Sequence, residues 1–410
     1  MPLLILVATM VLLSIGRLPR LGGRKHRAWI ALAGGAAMIA TGSLSLQGAR
    51  DAVNLDILAL LFGMLALAAS LELCGFFDWL SRKVVERSRS QVQLLGGTML
   101  ASAVLSALIL NDAVVLLFTP VLVKAARVLG IDPMPYLAGE AIAANIGSVA
   151  TPVGNPQNAY IAIASGIAFT DYVAALLPVA VVALALGFAI TALVFRRSLA
   201  APLGARATPL EANITHPALL RVALAILAAV FVGFLLAGPL RVSIAHVALA
   251  GGVVVLAATL LLAPRRAPEM VGFMDLSILV FFVGLFWLIA GFQQAGLNDE
   301  LAAVFLGGAA PSLLSLTAWS AALSQLVSNV PAVILIAPTV HAAGSSDLWL
   351  ALAASSTLAG NATLVGAAAN VIVAERARAN GADFSVRRFM LAGLPVSLAT
   401  LAAMLALLAL

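Results

Sequence analysis

Two amides and a carboxylate stand where hydrophobic sequence would otherwise run on unbroken. Asn111 and Asp112 interrupt the apolar stretch 92–124, and Ser328 and Asn329 interrupt the apolar stretch 312–341. In both stretches the Asn precedes a proline by nine positions, Asn111 before Pro120 and Asn329 before Pro338. A second shared phrase starts between 30 and 40 residues after each Asn. One copy runs Ala150-Thr151-Pro152-Val153-Gly154-Asn155-Pro156-Gln157-Asn158, the other Ala362-Thr363-Leu364-Val365-Gly366-Ala367-Ala368-Ala369-Asn370. Polar, helix-breaking phrases at matching places in two apolar halves point to a binding site built from interrupted membrane helices.

The chemistry of such a site follows from helix ends. A half-helix that starts inside the membrane leaves orphan N–H groups and a positive dipole end, which suit an anion. A half-helix that stops there leaves orphan carbonyls, which suit sodium. Asn111 and Asn329 both donate and accept, so either can bridge the two ligands. Two prolines and a glycine in 151–158 remove helix hydrogen bonds and free carbonyls, while Thr151, Asn155, Gln157 and Asn158 add side-chain polar groups. In the second copy Gly360-Asn361-Ala362-Thr363 and Gly366 to Asn370 play that part without a proline; a tight Gly/Ala packing face is the alternative there. The candidate site is therefore Asn111, Asp112, Thr151, Gly154, Asn155, Asn158, Ser328, Asn329, Asn361, Thr363, Gly366 and Asn370. A sodium ion would draw on Asn111, Asp112, Thr151, Asn329 and Thr363.

Asp112 is the one acid expected near the bilayer midplane, where a carboxylate is costly and marks function. It is read as a cation ligand or proton carrier, with no Lys or Arg placed to pair with it. Val330 holds its place in the second copy, so this charge acts once. Glu140, further along, is read as structural.

The composition says what kind of protein carries these phrases. The chain is 63% hydrophobic and 10% charged, against about 25% charged in soluble domains. It reads as an all-α polytopic membrane protein, and no enzymatic activity is expected of it. One cysteine, Cys74, excludes a disulfide framework, and four scattered His lack ligand spacing. No Gly-rich loop is followed by Lys-Ser/Thr, so ATP-driven pumping by this chain is not expected. Residues 1–17 read as a first span rather than a signal peptide.

A bilayer core needs about 20 apolar residues per helix. The spans expected are 2–16, 28–46, 54–76, 135–166, 172–195, 218–237, 243–263, 275–293, 347–374 and 389–409, with re-entrant hairpins over 92–124 and 312–341. This layout puts all but Arg50 and Arg241 of the 23 Lys and Arg on one side. The positive-inside rule makes that side cytoplasmic and both termini external. The basic excess is thus topological, with no nucleic-acid role. The hairpins then enter from opposite faces, and the halves are inverted repeats. Asp56 to Gly63 and Asp275 to Gly284, each a span opening on Asp and reaching Gly, extend the repeat.

The three phrases resemble the ion transporter superfamily, which groups arsenite permeases, citrate-transporter-like proteins, divalent anion–sodium symporters and some sodium/proton antiporters. The resemblance is nearest to its bacterial anion permeases, through Leu110-Asn111-Asp112, Thr151 to Asn158, and Ser328-Asn329-Val330-Pro331. It implies a homodimer whose protomers carry a scaffold and a transport domain that moves as an elevator. On that reading residues 1–90 and 218–310 are scaffold, 91–197 and 311–410 transport, and 198–217 a cytoplasmic linker. The chain departs from dicarboxylate-transporting relatives, which carry Ser-Asn-Thr at both tips. The Asn-Asp tip is nearer the arsenite permeases, whose substrate can be a neutral hydroxide.

The function expected is secondary active transport of a small anion across the inner (plasma) membrane, coupled to sodium or protons by alternating access. A sodium/proton antiporter or an arsenite efflux permease is the alternative. An ion channel fits less well, because one hairpin per side suits alternating access rather than a continuous path. No cofactor beyond a sodium ion is expected.

Overall fold

The computed structural model describes residues 1–15, 24–203, 213–297 and 311–409. The linker expected over 198–217 falls partly outside these, as do Arg17, Arg20 and Arg206. All regular structure among the described residues is helical. The first half holds α1 (Pro2–Ile15), α2 (Arg24–Ala40), α3 (Leu46–Ala52), α4 (Leu55–Leu73), α5 (Phe76–Arg87), α6 (Gln91–Leu108), α7 (Asn111–Leu129), α8 (Met134–Ser148), α9 (Pro156–Ser165), α10 (Phe169–Val194) and α11 (Arg196–Leu199). The second holds α12 (Pro217–Leu240), α13 (Ile244–Leu262), α14 (Ala267–Phe273), α15 (Ser277–Gln294), α16 (Leu313–Val327), α17 (Asn329–Ala343), α18 (Ser346–Ala359), α19 (Ala368–Ala379) and α20 (Val386–Leu408).

Seven helices among the described residues are long and apolar enough to cross a membrane. Six fall on spans of the expected layout, one of them, Pro264–Gln294, made up of α14 and α15 with the turn before them. The seventh, α6, is a hairpin arm: the chain turns back at Ile109 and Leu110 and re-enters helix at Asn111. The spans expected at 135–166 and 347–374 are broken, into α8 and α9 and into α18 and α19.

The repeat governs the packing. α4 lies against α13, and α2 against α15. Gly63 of α4 meets the Ala248 carbonyl and Gly252, while Gly284 of α15 meets the Ala31 backbone and Gly35. In each pair one small residue from α4 or α15 enters between two small residues four apart on its partner. Backbones without side chains between them approach closely, which is how membrane helices gain dispersion energy. The second packing group joins α6 with α8, α16 with α18, α10 with α20, α7 with α19, and α9 with α17. Prolines recur inside its helices at matching places, Pro120 with Pro338 and Pro178 with Pro395.

The hairpins open toward opposite faces. Arg127, at the base of the first, donates to the Asn380 carbonyl just past the end of α19. The base of the second connects through Gly344 and Ser345 to the start of α18. As α18 and α19 cross the molecule between those points, one hairpin enters from each side, and the halves are inverted.

Candidate functional site

Several helix starts at the periphery carry side-chain caps, although those of α5, α8, α10 and α12 do not. Ser90, Ser345 and Ser385 accept from backbone N–H groups at the starts of α6, α18 and α20, and Ser312 forms a full capping box on α16. Capping satisfies donors that the helix itself cannot. Other helices begin in the interior. α7, α17 and α19 begin there with no side-chain cap, and only α9 has one, from Asn155 to the Asn158 N–H.

All four interior starts meet at one cavity of ≈ 60 Å³. Its wall takes Asn111 and Asp112 from α7, Pro156 and Gln157 from α9, Ser328 to Val330 from α17, and Ala367 and Ala368 from α19. Four helix dipoles thus turn their positive ends toward one small space, three of them without a side-chain cap. The remaining wall comes from the other packing group: Arg27 of α2, and Asp275, Ser277, Ile278, Phe281 and Phe282 at the start of α15. The Arg27 guanidinium lies over the Phe281 ring, 5.3 Å from its centroid. Asp112, read from sequence as having no cation near it, shares its cavity with this arginine.

A larger vestibule of ≈ 840 Å³ abuts the cavity, with Asp275 and Ser277 on both walls. Lys124, Arg127 and Arg376 line it on the α7 and α19 side, and Glu72 and Asp78 on the α4 and α5 side. It therefore opens at the arginine-rich end of the molecule.

Behind the cavity, the two breaks are held by matching bonds. Asn158 Nδ2 donates to the Ser148 carbonyl at 2.9 Å, and Asn370 Nδ2 donates to the Gly360 carbonyl at 2.7 Å. Thr151 Oγ1 donates to the Ala107 carbonyl, and Thr363 Oγ1 donates to Gln325 Oε1, so each Thr ties its break to the same place in its hairpin. The Gly154 carbonyl accepts from the Asn111 backbone N–H at 2.8 Å. The matching Gly366 carbonyl lies 2.6 Å from the Asn329 carboxamide, which, in the orientation its neighbours require, donates to it and to Ser356 O and accepts from Gln157 Nε2. The second break opens as fully as the first despite lacking a proline. Asn370 donates to both the Gly360 and Thr363 carbonyls, replacing donors that a continuous helix would supply.

The breaks are also clasped to each other. Asn145 donates to Oδ1 of Asn361 and of Asn370, both at 2.9 Å, and accepts from Asn111 Nδ2 at 3.2 Å. Thr357, its counterpart, accepts from Asn155 Nδ2 and Gln157 Nε2 of the first repeat.

Of the twelve residues proposed from sequence, Asn111, Asp112, Ser328 and Asn329 come together on the cavity wall. Thr151, Gly154, Asn155, Asn158, Asn361, Thr363, Gly366 and Asn370 lie behind it and hold the breaks open. Asn145, Thr357 and Arg27 were missed. A signal existed for the first two: Asn145 precedes Asn158, and Thr357 precedes Asn370, by the same thirteen positions. Asn111 Oδ1 and the hydroxyls of Ser106 and Ser324 are buried with no hydrogen-bond partner among the described residues. Ser106 and Ser324 each stand five residues before the tip Asn of their hairpin, so these oxygens could serve a sodium ion. No group of three or more His, Cys, Asp or Glu able to hold a metal occurs among the described residues.

The citrate transporter (CitMHS) family matches residues 9–354, most of the chain. The chain belongs to that family. An uncharacterized transporter of Mycobacterium tuberculosis is 29% identical over 400 residues, covering 92% of each chain. A silicon efflux transporter of rice, Oryza sativa subsp. japonica, is 28% identical, covering 90% of this chain and 89% of its own. The fold is similar to the crystal structure of the Alcanivorax borkumensis YdaH transporter, at TM-score 0.59 and 18% identity, over 85% of this chain and 83% of that one. This member of the citrate transporter family is thus a transporter and a multi-pass membrane protein.

Proposed function

We propose that the chain is a secondary transporter that moves a small anion across the inner membrane by alternating access, coupled to a sodium or proton gradient. The observation that carries this reading is the convergence of four helix N-termini, three of them uncapped, on one cavity between opposed hairpins. Helix N-termini bind anions through their N–H groups and dipoles. The cavity is small, which favours a compact ion over a bulky organic molecule.

Hairpins, broken helices, α10 and α20 form the moving unit; α2, α4, α13 and α15 form the scaffold, in a homodimer working as an elevator. The vestibule gives the state accessible from the cytoplasmic side, since the arginine-rich end faces the cytoplasm by the positive-inside rule. Both termini then face outward.

A second reading has its own support. Asp112 and Asp275 both line the cavity. Carboxylates repel an anion but accept hydrogen bonds from hydroxyl groups. A neutral metalloid hydroxide would use both these acceptors and the N–H groups, and the rice relative is described as a silicon efflux transporter.

Uptake into proteoliposomes, crossing sodium and pH gradients with citrate, succinate, sulfate, phosphate, arsenite and silicic acid, tests both. Gradient-driven movement of an oxyanion supports the first reading, and movement of only the neutral hydroxides supports the second. If none of the six moves under any gradient, both fail.

A further inference from the structure

Glu140 is a carboxyl that the anion cavity does not use. It sits on α8, fully buried, against Thr119 of α7. Thr119 is its one hydrogen-bond partner among the described residues, and Oε1 has none.

Hydrogen-bond accounting fixes which form of Glu140 this contact suits. Thr119 Oγ1 lies 2.6 Å from the Val115 carbonyl and 2.9 Å from Glu140 Oε2. A hydroxyl has one proton, and a carbonyl can only accept. The Thr119 proton goes to Val115, at the shorter distance. The proton in the second contact must then come from Glu140, as a neutral carboxylic acid donating to Thr119. A carboxylate there would set two acceptors against each other and bury a charge with no compensating partner, which costs several kcal/mol.

The neighbouring elements offer no such partner. α8 packs on α6, α7, α10, α18, α19 and α20. Their titratable and charged groups are Asp112, Lys124 and Arg127 on α7, Asp171 and Tyr172 on α10, and Asp347 on α18. Glu375, Arg376 and Arg378 follow on α19, and Arg387 and Arg388 on α20; α6 carries none. Tyr136, one turn before Glu140 on α8, donates its hydroxyl to Gln91 instead.

The position lies near the vestibule. Thr119 is followed by Pro120, which lines the vestibule together with Leu116, Leu117 and Val121. Pro120 has no N–H to give the Leu116 carbonyl, so α7 lacks one ladder hydrogen bond beside Thr119. The same helix starts at Asn111 in the anion cavity. In the second repeat Leu352 and Ala337 stand where Glu140 and Thr119 stand here. This acid, like Asp112, occurs once per chain.

We infer that Glu140 is a proton-binding site that couples transport to a pH gradient: as the acid it ties α8 to α7 through Thr119, and it releases that proton to water in the vestibule, leaving the carboxylate. This rests on the transport reading above and names its coupling ion.

Infrared difference spectroscopy of the full-length protein in liposomes tests the site without any substrate. The expected result is a protonated-carboxyl C=O band, missing in Glu140→Gln, that converts reversibly to carboxylate as pH is raised. A band absent from the wild type, unaffected by E140Q, or unchanged up to the pH of unfolding would overturn the proposal. With whichever probe anion or hydroxide the wild type moves, E140Q should lose pH-driven accumulation at least tenfold while counterflow, which needs no net proton movement, stays measurable. Wild-type accumulation by E140Q would also overturn it. If E140Q does not fold, Thr119→Val replaces it: the band should titrate at a proton concentration shifted at least tenfold, and an unshifted titration contradicts the proposal. Should the wild type move no probe, the transport reading fails, and the band alone decides whether Glu140 loads and unloads a proton.

Discussion

Asn145 donates both of its carboxamide hydrogens across the repeat boundary, to Oδ1 of Asn361 and Oδ1 of Asn370, at 2.9 Å each. One side chain of the first broken helix thus fixes the unwound segment of the second. Replacing it with Asp, which when ionised only accepts, would set its carboxylate against two carbonyl oxygens. Asn145→Asp is expected to lose about 3–5 kcal/mol, the scale of an uncompensated buried charge, seen as a lowered thermal midpoint in detergent. Asn145→Ala is expected to lose less, about 1–3 kcal/mol for acceptors left unsatisfied. An unchanged midpoint for Asn145→Asp would show that the clasp does not hold the breaks.

Ser328 adopts φ 77° and ψ 165°, a region that normally belongs to glycine. Strain of this kind costs about 1–3 kcal/mol and gathers at working sites. Ser328→Gly should therefore raise the thermal midpoint while weakening transport, because it removes a hydroxyl from the cavity wall. A lowered midpoint would mean that the serine conformation is not strained.

The small-residue contacts set a sharper steric test. A Cβ on Gly63 would run into the Ala248 carbonyl oxygen, whereas one on Gly272 meets nothing within 4 Å. Gly63→Ala should cost about 1–3 kcal/mol through overpacking. Gly272→Ala, in a helix, should gain up to about 1 kcal/mol from propensity. Equal effects on thermal unfolding would contradict the close α4–α13 packing.

Inversion can be checked by labelling. In a Cys74→Ala background, Glu86→Cys and Ser346→Cys, both at exposed positions, should react with an impermeant maleimide from opposite sides of the membrane. Reaction from the same side would remove the inverted-repeat arrangement.

Much of this architecture was legible in the sequence because polar, helix-breaking phrases are costly inside apolar sequence. The hairpin turns at Asn111 and Asn329, and both breaks, lie where those phrases stand. Less legible was anything carried by one residue in an otherwise ordinary helix. Asn145 and Thr357 interrupt no pattern of hydrophobicity, and only their common spacing to Asn158 and Asn370 betrays them. Arg27 was absorbed into a charge count that explains topology, and its place in the cavity depends on how α2 lies against α15. The division between wall and support was beyond reach too. Thr151 and Asn111 look equally suited to a ligand, yet Thr151 spends its hydroxyl proton on the Ala107 carbonyl. The meeting of four helix starts is a relation between distant segments, and no local pattern encodes it.

The two hairpin tips and two breaks are proposed to form one substrate site. The most direct measurement is uptake by proteoliposomes of the six-probe panel, comparing wild type with Asn111→Ala and Asn329→Ala at matched amounts of folded protein. Each variant loses side-chain bonds to the breaks and a polar group on the cavity wall. The expected result is gradient-driven uptake of a small oxyanion or hydroxide by the wild type, reduced at least tenfold in each variant. That is the effect of about 1.4 kcal/mol or more, within reach of a lost hydrogen bond to a charged group. Wild-type uptake in both variants would place the site elsewhere and contradict the account.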